Sequence, residues 1–157
     1  MRSGFAAVLL FSQLLIPVFP VSAQKAGDAS SSAERAAVET VLLTQVEAWN
    51  RHDLEGFMAG YWNSPDLTFF SGADEHQGWQ ATFDRYRAAY ASEGHEMGRL
   101  EFSGLRIEML GADAAFVRGS WHLTMPDGKT PHGLFTLVFR KFPEGWKIVH
   151  DHTSSAE

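Results

Sequence analysis

Trp146-Lys147-Ile148-Val149-His150-Asp151-His152-Thr153-Ser154 forms the last strand-like stretch of the chain. Strict alternation along it puts Trp146, Ile148, His150 and His152 on one face. Two imidazoles then share a surface with core residues. A buried polar group without a partner costs about 1–3 kcal/mol, so such a face is expected to border a cavity as well as a core. The stretch points to a pocket but does not name its ligand.

Working back from it, Phe142 to Gly145 reads as a four-residue loop, and the preceding strand runs from Thr130 to Lys141. Its odd positions Gly133, Phe135, Leu137 and Phe139 are the apolar set. That loop pairs Leu137 with His150 and Phe135 with His152, so both histidines share the apolar face. The strand before it, Ala114 to Thr124, is more apolar at Ala115, Val117, Gly119, Trp121 and Leu123, with Phe116, Arg118, Ser120 and His122 opposite. A two-residue Asp127-Gly128 turn would match odd positions with even ones, so facing the two apolar sets requires a longer or bulged connection. From Arg99 the apolar phase slips between Leu100, Phe102 and Leu105, Ile107, Met109. Ser103-Gly104 lies at the slip, where a β-bulge absorbs one residue and bends the strand. The second half of the chain is therefore a four-strand antiparallel meander.

The first half reads as helical. Val38, Val41, Leu42, Val46 and Trp49 recur at helical spacing in a helix from about Ala33 to Asn50. Asp53 caps a shorter helix carrying Leu54, Phe57, Met58 and Tyr61. Leu67 to Phe70 and Glu75 to Gly78 form a short strand pair around Ser71-Gly72-Ala73-Asp74. A third helix from about Trp79 to Ala91 puts Trp79, Phe83, Tyr86 and Tyr90 on one stripe, which reads first as core.

Three helices, a short strand pair and a bent meander ending in Trp-x-Ile-Val-His-x-His-x-Ser resemble the SnoaL-like branch of the nuclear transport factor 2-like superfamily, over about Glu34 to Ser154. The ending, with Leu67-Thr68-Phe69-Phe70 and Gln77-Gly78, is also similar to the association domain of calcium/calmodulin-dependent kinase II. The resemblance implies an α+β cone, a curved antiparallel sheet wrapped around the long first helix with a pocket at its open end. Members include isomerases, dehydratases, polyketide cyclases and domains without a known reaction. The arginine-lined pocket of the kinase domain does not carry over, because Trp121 and Leu137 stand where arginines are expected and Thr153 follows His152.

Ahead of the domain, Arg2, the apolar run to Val21 and the small-x-small site Val21-Ser22-Ala23 read as a secretory signal over residues 1–23. Gln24 to Ser32 has no large apolar residue and reads as a flexible linker to a domain over residues 33–155. An exported, periplasmic or secreted protein is expected, with no membrane attachment after cleavage. Removing Arg2 leaves 12 basic against 19 acidic side chains, a formal charge of −7 without a basic run, which argues against nucleic acid as a partner. The absence of cysteine excludes disulfides and thiol chemistry.

His150 and His152 are the candidate acid–base residues, since a histidine in an apolar pocket titrates near neutral pH. Tyr61, Phe70, Trp79, Tyr86 and Trp121 are the expected ligand-binding lining. A metal held by the His-x-His pair would need a third ligand, and His122 and His132 point away by the same alternation, so neither metal nor other cofactor is expected. Asp151 falls opposite His150, which leaves the histidines without a carboxylate partner. The leading expectation is a small-molecule-binding domain with a conical, largely apolar pocket. The alternatives are an acid–base isomerase, lyase or cyclase acting on a small carbonyl compound, and a non-catalytic interaction module. A homodimer formed through the outer sheet face is expected.

Overall fold

The computed structural model describes residues 21–92 and 96–156, with side chains from residue 30 onward. The expected leader, 1–23, lies almost wholly outside them. Helix α1 spans Val21–Asn50 and buries a stripe of Val38, Leu42, Gln45, Ala48 and Trp49. It begins well before Ala33 and takes in the segment read as a linker. No helix among the described residues is long and apolar enough to cross a membrane.

The C-terminal end of α1 is pinned to the sheet by Asn50, whose side chain donates to the Leu100 carbonyl at 3.0 Å and accepts from the Leu100 amide at 2.8 Å. Nearer its middle, Glu34 accepts from Lys141 Nζ at 2.6 Å and from Trp146 Nε1 at 2.8 Å. Helix α2 spans Leu54–Met58, capped as expected by Asp53, which accepts from the Gly56 amide at 2.7 Å. Strands β1 (Thr68–Ser71) and β2 (Asp74–Gln77) pair as a short hairpin, and α3 follows over Trp79–Tyr90.

Four long strands complete the chain: β3 (Arg99–Met109), β4 (Ala114–Thr124), β5 (His132–Phe142) and β6 (Gly145–Thr153). The sheet order is β2-β1-β6-β5-β4-β3. The expected antiparallel sheet is in fact mixed, because β1 runs parallel to β6. These two strands come from opposite halves of the chain, so no hairpin imposes an antiparallel sense on them.

The meander is bent where the apolar phase slips. Ser103 pairs with Ser120 but Arg106 pairs with Arg118, so one residue of β3 is absorbed at Gly104, which sits at φ 61°. The connection from β4 to β5 resolves the parity conflict by length. Met125 accepts from the Gly128 amide and pairs with Lys129, so Trp121 faces Gly133 and odd positions meet odd ones. The inner sides of β4 and β5 then pack on α1 through Ala115, Val117, Leu123, Phe135, Leu137 and Phe139.

Nothing lies within 4 Å of where a Gly104 side chain would begin, so substitution there tests backbone conformation alone. Gly104→Val is expected to lower unfolding stability by about 1–3 kcal/mol, and Gly104→Asn by distinctly less, because Asn tolerates the left-handed region and a β-branched residue does not. Urea denaturation of the two variants measures the difference.

Candidate functional site

A second bulge, in β6, decides what faces the interior. Phe139 pairs with Ile148 but Val138 pairs with His150, so Val149 is the extra residue and the alternation restarts after it. Trp146 and Ile148 point inward before the bulge, and Asp151 and Thr153 do so after it. Leu137 therefore pairs with Asp151 and Phe135 with Thr153, each one residue away from the pairing expected with His150 and His152. The bulge is held from the other side as well. Gly60, Tyr61 and Trp62 lie alongside β6, the Ile148 amide donating to the Gly60 carbonyl and the Trp62 amide to the Ile148 carbonyl, both at 2.9 Å.

His150 and His152 accordingly stand on the outer face, which corrects their assignment to the pocket. His150 Nδ1 lies 2.6 Å from the Thr68 hydroxyl, and Phe70 packs edge-on against both rings. Burial, and then the neighbouring His152 charge, hold the His150 imidazole below its usual range. Phe70 moves outward with them, because parallel pairing puts Phe69 opposite Asp151 and Phe70 opposite His152. Trp79 is also displaced from the expected lining. It stacks on Phe83 and donates to the Met58 carbonyl at 3.2 Å, joining α3 to α2.

The interior encloses a cavity of about 100 Å³ between α1, α2, α3 and the inner sheet face. Of the expected lining, Tyr61, Tyr86 and Trp121 are present. With Trp49, Phe57, Phe69, Tyr90, Phe102 and Phe135, they make nearly half of the wall aromatic. Trp49, Phe57 and Tyr86 meet edge-to-face at centroid distances of 5.1–6.2 Å, and Phe69 stacks on Tyr86 at 5.3 Å. Such contacts hold large rings in fixed orientations, which keeps a wall of this kind in shape.

Asp151 is the polar centre of this wall and is 3% exposed. Its Oδ2 accepts from the Tyr61 hydroxyl at 2.7 Å, and its Oδ1 accepts from the Thr153 hydroxyl at 2.8 Å. Tyr61 in turn lies 3.2 Å from the Tyr86 hydroxyl, so the protons run from Tyr86 to Tyr61 to the carboxylate. Burial pushes the Asp151 carboxyl up to about 6 against the opposing pull of its two hydroxyl donors. Burial first, and the Asp151 charge second, hold Tyr61 and Tyr86 well above the ordinary phenol range, so both keep their protons. Each carboxylate oxygen retains a lone pair beyond the one used internally. The arrangement has a base that is largely ionised at neutral pH with two neutral phenols beside it.

A model of the SnoaL-like domain family matches residues 38–156. The chain belongs to the SnoaL-like family. Within the nuclear transport factor 2-like superfamily, this SnoaL-like chain is 37% identical to an NTF-2 like protein of unknown function from Shewanella oneidensis MR-1, with a TM-score of 0.70 over 76% of this chain and 97% of that one. An NTF2-like superfamily protein from Salmonella enterica serovar Typhimurium LT2 has the same fold at 18% identity, with a TM-score of 0.63 over 81% and 94% of the two chains. A ketosteroid isomerase-like protein from Erwinia carotovora atroseptica SCRI1043 aligns at 21% identity, with a TM-score of 0.61 over 79% and 97%. No curated protein matches this SnoaL-like chain.

The raised carboxyl makes stability depend on pH. The folded state holds the Asp151 proton more tightly than the unfolded chain, so the stabilising contribution is full below about pH 4 and is lost as pH rises through about 6. Asn keeps the shape and cannot ionise, its oxygen accepting from Tyr61 and its amide nitrogen donating to the Thr153 hydroxyl, which reverses that one bond. Asp151→Asn is therefore expected to be more stable than the parent at pH 8, by up to roughly 3 kcal/mol, and to lose that advantage at pH 4. Thermal melts at the two pH values check the sign.

Proposed function

We propose that this chain is an acid–base enzyme, an isomerase or lyase that moves a proton at the carbon beside a carbonyl in a small, largely apolar substrate. The observation that carries the reading is Asp151, a buried carboxylate at the end of a tyrosine chain in an aromatic cavity. A base that titrates near 6 takes up a proton more readily than an ordinary aspartate and is still mostly free to do so at pH 7. As Asp151 takes the carbon-bound proton, the C–H electron pair becomes the new C=C bond and the carbonyl π pair moves onto oxygen. Tyr86, the outer member of the chain, turns its hydroxyl proton from Tyr61 to that oxygen, while Tyr61 keeps its bond to Asp151. Return of the proton to a different carbon gives an isomer, and loss of a β-substituent gives an elimination product.

The acid–base role passes from His150 and His152, which stand on the outer face, to Asp151. The expectation of small-molecule binding is retained as the first step of the proposed reaction. The fold is shared with a protein described as ketosteroid isomerase-like, and that likeness speaks for fold. The class of reaction rests on Asp151.

Exchange of carbon-bound protons reports this chemistry whatever the final product is. With a panel of small ketones and oxo acids in D₂O, proton NMR is expected to show loss of the α-proton signal above the buffer rate for at least one member. Asp151→Asn should slow that exchange by about 10²-fold or more, and the parent rate should climb as pH passes through about 6, because the ionised form is the base. Exchange that is absent for every member, or unchanged in Asp151→Asn, contradicts the proposal.

Export is the second part of the proposal and is supported by the residues around Val21-Ser22-Ala23. Expression through a bacterial export route is expected to yield a protein whose intact mass corresponds to a first residue of Gln24. A mass that includes Met1 to Ala23 in the exported fraction counts against it.

A further inference from the structure

Arg85 lies on α3, is half-buried, and lines the same cavity as Asp151. Among the described residues it makes no ion pair and no hydrogen bond. Asp84, the acid next to it in sequence, is taken by Arg87 at 2.7 Å. Arg99 and Arg118 have Glu101 and Glu108, and the remaining ion pairs among the described residues belong to Lys129 and Lys141. In a chain with 19 acidic and 13 basic side chains, an arginine left without a carboxylate at a cavity wall has a vacancy for one.

Its surroundings suit an anion. Ser71, from the end of β1, and Ser155, just beyond β6, line the cavity with Arg85, and neither side chain makes a hydrogen bond among the described residues. Ser71 is half-buried and Ser155 is exposed, which places this cluster at the rim, while Asp151, Ile148 and Leu137 are buried at the floor. Arg85 acts electrostatically on Tyr86 and Tyr90, in each case opposing the effect of burial, so its charge sits on the tyrosine side of the cavity. The guanidinium presents paired N–H donors in a plane, the geometry that a carboxylate fills with two parallel hydrogen bonds.

We propose that the substrate of this site is a small carboxylate, held at the rim by Arg85 with Ser71 and Ser155, whose apolar body and reacting carbonyl reach inward between the aromatic rings toward Asp151. The proposal rests on the acid–base reading of Asp151 and adds to it the chemical class of the substrate. Charge placement supports the orientation. A carboxylate group seated at the floor would meet the ionised Asp151, whereas at the rim it meets the unmatched cation, so the molecule enters one way round.

Binding of phenylacetate and phenylacetamide, matched in shape and different in charge, tests this by calorimetric or NMR titration at pH 7. Phenylacetate is expected to bind at least about tenfold more tightly than the amide. Arg85→Gln should bring that ratio to about one, Arg85→Lys should restore part of it, and Asp151→Asn should leave the preference in place or enlarge it. Melting curves of the Arg85 variants confirm that they are folded. Equal affinity for the two probes, binding of neither, or a preference that survives in Arg85→Gln overturns the proposal. So does inorganic phosphate binding more tightly than phenylacetate, which would assign the rim to a phosphate group. These are affinities and require no turnover, so a failure of the acid–base reading shows separately, as preserved phenylacetate binding without α-proton exchange.

Discussion

One extra residue in β6, Val149, determines what the cavity contains. Without it, alternation from Trp146 and Ile148 would carry His150 and His152 into the interior and leave Asp151 outside. With it, Asp151 and Thr153 face inward, and the two histidines pack outside against Thr68 and Phe70. The side-chain period of a strand is two, so a single insertion exchanges every residue beyond it between the two faces. The backbone of Gly60 to Trp62 holds the insertion in place by bonding to Ile148 immediately before it. That contact also carries Tyr61 alongside β6, so the element that supports the bulge supplies the hydroxyl that meets Asp151.

A carboxylate at this depth is expensive, and the fold offsets the expense only in part. Tyr61 and Thr153 give it two hydroxyl donors, yet no cation among the described residues contacts it, and its proton affinity stays raised. A structural role would favour fuller neutralisation, because an unpaired buried charge lowers stability and a serine or asparagine would satisfy Tyr61 at lower cost. The surrounding packing is rigid by comparison. Helix α1 is fastened to β3 by Asn50 and to β5 and β6 by Glu34, and the aromatic rings of α1, α2 and α3 interlock around the cavity. The destabilised group sits in a frame that can hold it.

The elements were legible because their signals were local. Apolar spacing marked α1 and α3, Asp53 marked the start of α2, and the phase slip at Ser103-Gly104 marked the bulge in β3. That bulge uses a left-handed backbone, for which glycine is the visible sign. The bulge at Val149 has no such sign, since no positive φ occurs there and valine looks like any other strand residue. The signal that was present is the adjacent apolar pair Ile148-Val149, which allows the phase to change between them. Reading past it reversed the facing of Phe70, His150 and His152 and hid Asp151. Tyr61, Tyr86 and Trp121 were found because their facing depended on helix periodicity or on β4, neither of which crosses that point. The parallel pairing of β1 with β6 and the contact of Arg85 with the cavity are long-range facts, for which the chain carries no local pattern.

The cavity joins two opposite charges across an apolar span. Asp151 lies at the floor, where burial raises its proton affinity, and Arg85 lies at the half-buried rim without a partner among the described residues. If the two met directly, the guanidinium would draw the carboxyl back toward its ordinary range and neither group would be available. Instead the carboxylate is bonded by neutral hydroxyls, Tyr61 on one oxygen and Thr153 on the other with Tyr86 behind Tyr61, and Arg85 makes no ion pair with it among the described residues. On the proposed reading, the molecule that fits has an anionic end for Arg85, an apolar middle for the aromatic rings and a reactive end for Asp151.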